Sequence, residues 1–273
     1  PFHAVLMRLL LLLATFTSSS SFLLSPLPPS PTCRPAVSSL SRAAKSRQEA
    51  GPVFVEIEDI GHGAWKLDPV AAILKEGGLG IVPTDTSYAF VTSIESREGV
   101  SRLYDLKQQD SIKKKPFAIL CDSISQISKY TTAINFKSVF KMLKEVLPGP
   151  YTFICPSTND LPRMIIDHKK HAKIWKRKEI GVRIPKDQVC LELISKVGTP
   201  LLCAGVHKTD EESFSVGHVF AENKNLIDFM VAAGERNAES STIVDLTKEP
   251  AVILREGAGD IDILQEFIEL SEE

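Results

Sequence analysis

"GIVPTDTSYAF", residues 80–90, opens as a buried strand, meets a proline and continues as hydroxyls and a carboxylate before an aromatic. Thr84, Asp85, Thr86, Ser87 and Tyr88 put five polar-tipped side chains where a plain turn needs one or two. Two readings follow: a solvent-exposed hairpin turn, or a binding site at the mouth of a sheet. Working outward, Leu79 to Val82 read as a short buried strand. The helix before it opens at Asp68-Pro69, an N-cap with proline at the first helical position, and stops at Gly77-Gly78. Val53, Val55 and Ile57 alternate as an edge strand does. Residues 97–108 carry Val100, Leu103 and Leu106 on one helical face. Phe136, Val139, Phe140, Leu143 and Leu147 fall at the spacing of an amphipathic helix ended by Pro148-Gly149. Asp187 caps a helix with Leu191, Ile194 and Val197, and further strands are expected at 116–120, 151–155, 180–184, 200–203, 243–246 and 252–254. Strands alternating with helices predict an α/β fold around one sheet, with residues 49–273 as one domain.

Composition narrows the class. Hydrophobic content of 43% and 24% charged residues are ordinary for a globular chain of 273 residues. The five cysteines include no C-x-x-C pair, which argues against a zinc site or disulfide framework and for a reducing compartment. Residues 1–48 contain no Asp or Glu, but ten serines, three threonines, six prolines and five basic residues. That is the composition of an organelle transit peptide, chloroplast rather than mitochondrial because hydroxylated residues far outnumber arginines. A short secretory signal from Met7-Arg8 and the run Leu9 to Phe16 is the rival; the run is too short to span a bilayer. Without this segment the net charge moves from −2 to −7, because five of the 32 basic residues and none of the 34 acidic ones lie in it. Any nucleic-acid contact must then come from a local patch.

Several polar groups abut predicted strand ends: Thr84-Asp85-Thr86, Thr152 in "LPGPYTFI", Arg183 in "IGVRIP", and Ser241-Thr242 before "IVDL". Ligands of α/β sheets bind where loops gather at the strand ends. Hydroxyls there donate to phosphate or carboxylate oxygens, and an Arg grips either with two N–H groups. The bland alternative is a good strand residue for each Thr and a snorkelling stem for Arg183. Two basic runs, "DLKQQDSIKKKPFAIL" and "DHKKHAKIWKRKEIGVRIP", read either as solvated loops or as RNA contacts. The chain has no G-x-G-x-x-G, no G-x-x-x-x-G-K-[ST] and no G-x-S-x-G, and its six histidines show no metal-ligand spacing.

Taken in order, "PTDTSYAF", "KKKPFAIL", "LPGPYTFI", "IGVRIP", "VGTPLL" and "STIVDL…ILREGAGD" resemble the YrdC-like family over nearly all of residues 66–260. The resemblance implies a twisted mixed sheet with flanking helices and a large concave, electropositive surface. It implies an activity of threonylcarbamoyl-AMP synthase type: L-threonine, bicarbonate and ATP, with Mg²⁺, give threonylcarbamoyl-adenylate and pyrophosphate for tRNA modification. On this likeness Lys107, Lys115 and Arg183 are the catalytic cations. Thr84, Thr86, Tyr88, Thr152 and His207 face the amino-acid substrate, and Ser241, Thr242 and Arg255 face the nucleotide. No protein-bound metal and no membrane partner is expected. The synthases carry K-x-R where this chain reads Lys107-Gln108-Gln109, and S-x-N where it has Gly205 and His207. Gln lacks the charge of Arg, and Gly lacks a hydroxyl. These departures make the chain look most like the YciO branch, for which binding of tRNA or double-stranded RNA without catalysis is the alternative expectation.

Overall fold

In the computed structural model, residues 51–108, 117–166, 178–206, 215–236 and 239–269 are described. All of them fall in the compact unit Ser38–Glu273; the other unit, Pro1–Val37, lies outside the described residues, as does the rest of the expected transit peptide. The strands are β1 Val53–Glu56, β2 Leu79–Val82, β3 Ala89–Ser93, β4 Ala118–Leu120, β5 Tyr151–Pro156, β6 Glu179–Arg183, β7 Leu201–Gly205, β8 Phe229–Ala232, β9 Thr242–Asp245 and β10 Val252–Arg255. The helices are α1 Ile60–Gly63, α2 Asp68–Lys75, α3 Arg97–Gln108, α4 Ile124–Tyr130, α5 Lys137–Val146, α6 Arg163–Ile166, α7 Gln188–Val197, α8 Val216–Asn223 and α9 Ile261–Glu269. The strands form one mixed sheet in the order β1-β8-β2-β3-β7-β4-β6-β5-β9-β10.

Helices cover the two faces unequally, and that asymmetry positions the site. On the first face Ile81, Phe90, Leu202, Ile119, Val182, Phe153 and Val244 are buried under residues of α3, α4, α5 and α9. On the second face Val55, Phe229, Val231, Val82, Val91, Leu201 and Leu120 pack against Val70, Ala71 and Leu74 of α2 and Val189, Leu193, Ile194 and Val197 of α7. This second apolar layer reaches β4 and goes no further among the described residues. Each fully buried Leu, Ile or Val contributes about 1.5–3 kcal/mol, so burying Arg183, Thr152 and Ser241 beyond β4 in place of apolar side chains marks a region where stability has not been the deciding demand.

The local chemistry follows from named side chains. Gly77, at φ +89°, ends α2, and the amides of Gly77 and Gly78 return to the carbonyls of Leu74 and Ile73. Asp187 caps α7 by accepting from the Cys190 amide at 2.9 Å, as expected. Asp68 is not a cap: α2 continues directly from a 3-10 turn at Ala64–Leu67, and the carboxylate instead reaches Lys196 Nζ at 2.7 Å. Phe136 leaves the expected stripe of α5; it precedes the helix and is 59% exposed, while Met142, Leu143 and Val146 form the buried face. Asp228, buried before β8, accepts from the Leu79 amide at 2.8 Å and pairs with Arg102 of α3, tying the β8–β2 junction to a helix.

Candidate functional site

The opening stretch is a hairpin connection and a buried one. β2 and β3 pair antiparallel with Val82 opposite Ala89, so residues 83–88 form their loop, yet Thr84, Thr86 and Tyr88 are 1%, 3% and 0% exposed. Thr84 shapes the loop: its Oγ1 donates to the Ser87 carbonyl at 2.5 Å and accepts from the amides of Thr86 and Ser87, each at 3.3 Å. The Thr86 hydroxyl lies 3.2 Å from Thr84 Oγ1. Tyr88 points the other way, donating to the Gly234 carbonyl at 2.7 Å and accepting from the Ala233 amide at 3.1 Å. Burial raises its phenol pKa.

Folded in this way, the loop offers Asp85 and Thr86 to Arg183, far along the chain at the end of β6. Arg183 Nη2 donates to Asp85 Oδ1 and, at 2.9 Å, to Thr86 Oγ1. Both charged side chains are nearly buried, at 10% exposure for Arg183 and 8% for Asp85. Arg183 Nε and Asp85 Oδ2 are buried with no hydrogen-bond partner, so the pair is held at a single point rather than as a two-bond fork.

Strand register then carries the site across the half-sheet beyond β4. Leu120 pairs with Arg183, Thr152 with Ile243, and Ile243 with Arg255. One further step along the β5–β6 register sets Thr152 opposite Arg183. Paired residues share a face, so Arg183, Thr152, Ile243 and Arg255 form one row with a guanidinium at each end. Between them Thr152 Oγ1 lies 2.9 Å from Ser241 Oγ. Arg255 clasps the Ser241 carbonyl through Nε at 3.0 Å and Nη2 at 2.7 Å, and Nη2 also reaches Ser241 Oγ at 3.2 Å. Partial burial and the Arg183 charge both lower the Arg255 pKa. A second row, Cys203, Ala118, Gly181, Ile154 and Asp245, runs alongside with small side chains at its centre. A Cβ on Gly181 would meet Ala118 Cβ at 3.0 Å and Thr152 Cγ2 at 3.4 Å, so this floor is closed by glycine. Two cations, paired hydroxyls and a smooth floor suit a ligand with anionic groups and a flat or small apolar body.

Of the residues expected from sequence, Thr86, Arg183, Thr152, Ser241 and Arg255 come together in or beside this row, and Thr84 braces the loop behind them. Thr242, fully buried, faces away: its Oγ1 donates to the Gly259 carbonyl at 2.9 Å and accepts from the amides of Gly257 and Gly259 at 3.1 and 3.0 Å. Lys107 sits on α3, against the first face, with Nζ 5.3 Å from the centre of the Phe90 ring. Lys115, His207, Gln109, half of the first basic run and most of the second lie outside the described residues. Asp85 is the participant that sequence reasoning left without a role, although it stands in the same stretch between the two threonines. Among the described residues no group of three or more His, Cys, Asp or Glu gathers to hold a metal ion, and no helix is long and apolar enough to cross a membrane.

Comparison with known proteins places this geometry. The Sua5/YciO/YrdC family model, described as telomere recombination, matches residues 72–257. An uncharacterised protein of Haemophilus influenzae is 30% identical over 200 residues, 71% of this chain and 89% of its own. The uncharacterised protein YciO of Escherichia coli K12 is 27% identical over 197 residues, 71% of this chain and 90% of its own. The crystal structure of E. coli YciO superposes with a TM-score of 0.67 at 25% identity, covering 77% of this chain and 97% of the other. The threonylcarbamoyl-AMP synthase of Pyrococcus abyssi is 26% identical over 206 residues, 75% of this chain but 57% of the synthase. P. abyssi Sua5 complexed with L-threonine shares the fold, with a TM-score of 0.67 at 24% identity over 79% of this chain and 60% of that one. The chain belongs to the Sua5/YciO/YrdC family and is related to the threonylcarbamoyl-AMP synthases.

Proposed function

From membership of that family, we propose that the chain gathers L-threonine, bicarbonate and ATP on the half of its sheet beyond β4 and joins them into threonylcarbamoyl-adenylate. The observation that carries this reading is the row with Arg183 at one end, Arg255 at the other and the Thr152–Ser241 hydroxyl pair between. The threonine amine and bicarbonate condense, with loss of water, to a carbamate. A carbamate oxygen attacks the α-phosphorus, its P–O bond forms, and the bond to pyrophosphate breaks. No side chain need form a covalent intermediate. The work is to hold mutually repelling anions in line, for which preorganised cations and hydroxyl donors are the effective groups. Magnesium enters this scheme on the triphosphate, as part of the substrate. With Gln109 and Gly205 in place of a charged and a hydroxyl group, turnover is expected to be slow while binding of threonine and nucleotide persists. The same proposal puts the activity in a chloroplast, a reading supported by the composition of residues 1–48.

Purified protein should be stabilised against heat more by ATP, threonine and bicarbonate together than by any one of them, since a ligand that prefers the folded state raises its apparent stability. It should also release pyrophosphate from ATP only when threonine and bicarbonate are both present. A melting curve unmoved by all three ligands refutes the proposal.

A further inference from the structure

The sheet ends at β1, which pairs with β8 alone among the described residues, parallel and with Val53 opposite Phe229. The amides of Val53 and Ile57 donate to the Asp228 and Ala232 carbonyls at 3.0 and 2.9 Å, so residues 53, 55 and 57 turn their backbone groups inward. Pro52, Phe54 and Glu56 turn theirs to the outer edge, and such an edge is a template for another strand. Its surroundings are apolar. Phe54 is 44% exposed and Val53 40%, and the Phe54 ring meets Phe220 of α8 edge-on, with centres 5.0 Å apart. Leu226, in the turn from α8 to β8, is 48% exposed.

The donors and acceptors of this edge are completed by a second copy of the same edge. In an antiparallel pairing centred on Phe54, Phe54 faces its own counterpart, Val53 faces Val55 and Pro52 faces Glu56. The two Phe54 residues exchange N–H and C=O both ways, and each Glu56 amide donates to the Pro52 carbonyl opposite. Pro52 has no N–H to return. The Glu56 carbonyl needs none, because Lys66 Nζ already donates to it at 3.1 Å. A register centred on Val55 would instead set the Phe54 amide against the carbonyl that Lys66 holds. The Phe54 rings also meet as a cross-strand aromatic pair, a stabilising combination in antiparallel sheets. We infer that β1 is a self-association edge: two copies of this chain join β1 to β1 antiparallel about Phe54, making one continuous sheet with a twofold axis at its centre. The facing strands are four residues long, so the dimer belongs to the small, transient class. The row from Arg183 to Arg255 lies toward the other end of the sheet, so the inference stands apart from the proposed reaction.

Sedimentation equilibrium of the full chain, from about 1 to 200 µM, should show a reversible equilibrium between monomer and dimer. Phe54→Lys removes the aromatic pair and sets like charges opposite each other across the axis, so it should weaken the dimer about tenfold or more. Phe54→Glu should do the same. An equimolar mixture of these two variants should regain the dimer, because residue 54 faces its own counterpart and opposite charges then meet. Phe54→Pro removes an amide that β8 does not use, so it should also weaken association about tenfold or more while far-ultraviolet circular dichroism stays that of wild type. A chain that stays monomeric over this range, as it would with a different protein on this edge, overturns the inference. A dimer that tolerates Phe54→Lys, or a mixture of the Lys and Glu variants that stays monomeric, overturns it too. Should Phe54→Pro fail to fold, the Lys and Glu variants decide, because they alter only a side chain that is already half-exposed.

Discussion

Replacing Thr242 by Val keeps the side-chain volume and removes one hydroxyl that does three things. Its Oγ1 accepts from the Gly257 and Gly259 amides and donates to the Gly259 carbonyl, which pins the turn after β10 against β9. Gly259 is buried, packed so closely that a Cβ there would lie 2.4 Å from the Tyr151 ring, so neither its amide nor its carbonyl can turn to water. Leaving a buried polar group unpaired costs about 1–3 kcal/mol. Two such groups set the loss at roughly 2–6 kcal/mol, the exposed Gly257 amide adding little because solvent replaces its partner. Against a typical domain stability of about 5–15 kcal/mol, this is a large fraction. Urea unfolding followed by far-ultraviolet circular dichroism should show it as a lower midpoint at constant slope. Thr242→Ser keeps the hydroxyl and should lose only about 1 kcal/mol, the worth of one buried methyl. A Val variant within 0.5 kcal/mol of wild type, or a Ser variant as damaged as Val, would refute the reasoning.

Asp228→Asn leaves Arg102 without its buried counter-charge and should cost about 3–5 kcal/mol in the same assay; a loss below 1 kcal/mol would show the pair to be incidental. Stability should also fall in alkali. Burial raises the Cys155 thiol from an ordinary value near 9 to about 12, and the Tyr104 phenol from near 10 to about 12. Both groups stay neutral in the fold while the unfolded chain ionises, so their contribution is intact below pH 9 and is lost as pH rises toward 12, by about 1.4 kcal/mol per pH unit per group. Urea midpoints at pH 8, 9 and 10 should decline, more shallowly in Cys155→Ala; a flat profile would contradict this. Gly181→Val should cost about 1–3 kcal/mol from overpacking against Ala118 and Thr152 and weaken threonine binding, seen as a smaller thermal shift; undiminished binding would remove the second row from the site.

What the sequence revealed depended on whether a signal was local. The strands β2, β5, β6, β9 and β10 and the helices α3 and α7 announce themselves by apolar runs, periodicity and caps, and they stand within a residue or two of expectation. β3 escaped because "AFVTS" ends in two hydroxyls that look exposed; both are buried, and Thr92 donates to the Gly78 carbonyl at 3.0 Å. β8 escaped because "FMVA" is a short apolar run without alternation, buried between β1 and β2 by pairings far apart in sequence. The site divides in the same way. Hydroxyls beside strand ends could be seen one by one, but Asp85 meets Arg183 only because a hairpin loop folds toward a strand that follows 98 residues later. That Arg183 has a carboxylate partner, while Arg255 has none among the described residues, is a property of that contact, so no spacing rule reaches it.

The sheet face that carries Arg183, Thr152 and Arg255 is proposed to assemble a threonylcarbamoyl-adenylate from L-threonine, bicarbonate and ATP. Pyrophosphate release from ATP, measured with and without L-threonine and with and without bicarbonate, tests it most directly, with Arg183→Met as the control for the site. Slow release that requires both co-substrates and disappears in the variant is the expected result. Release that ignores threonine, or no release above a heat-treated control, would contradict it.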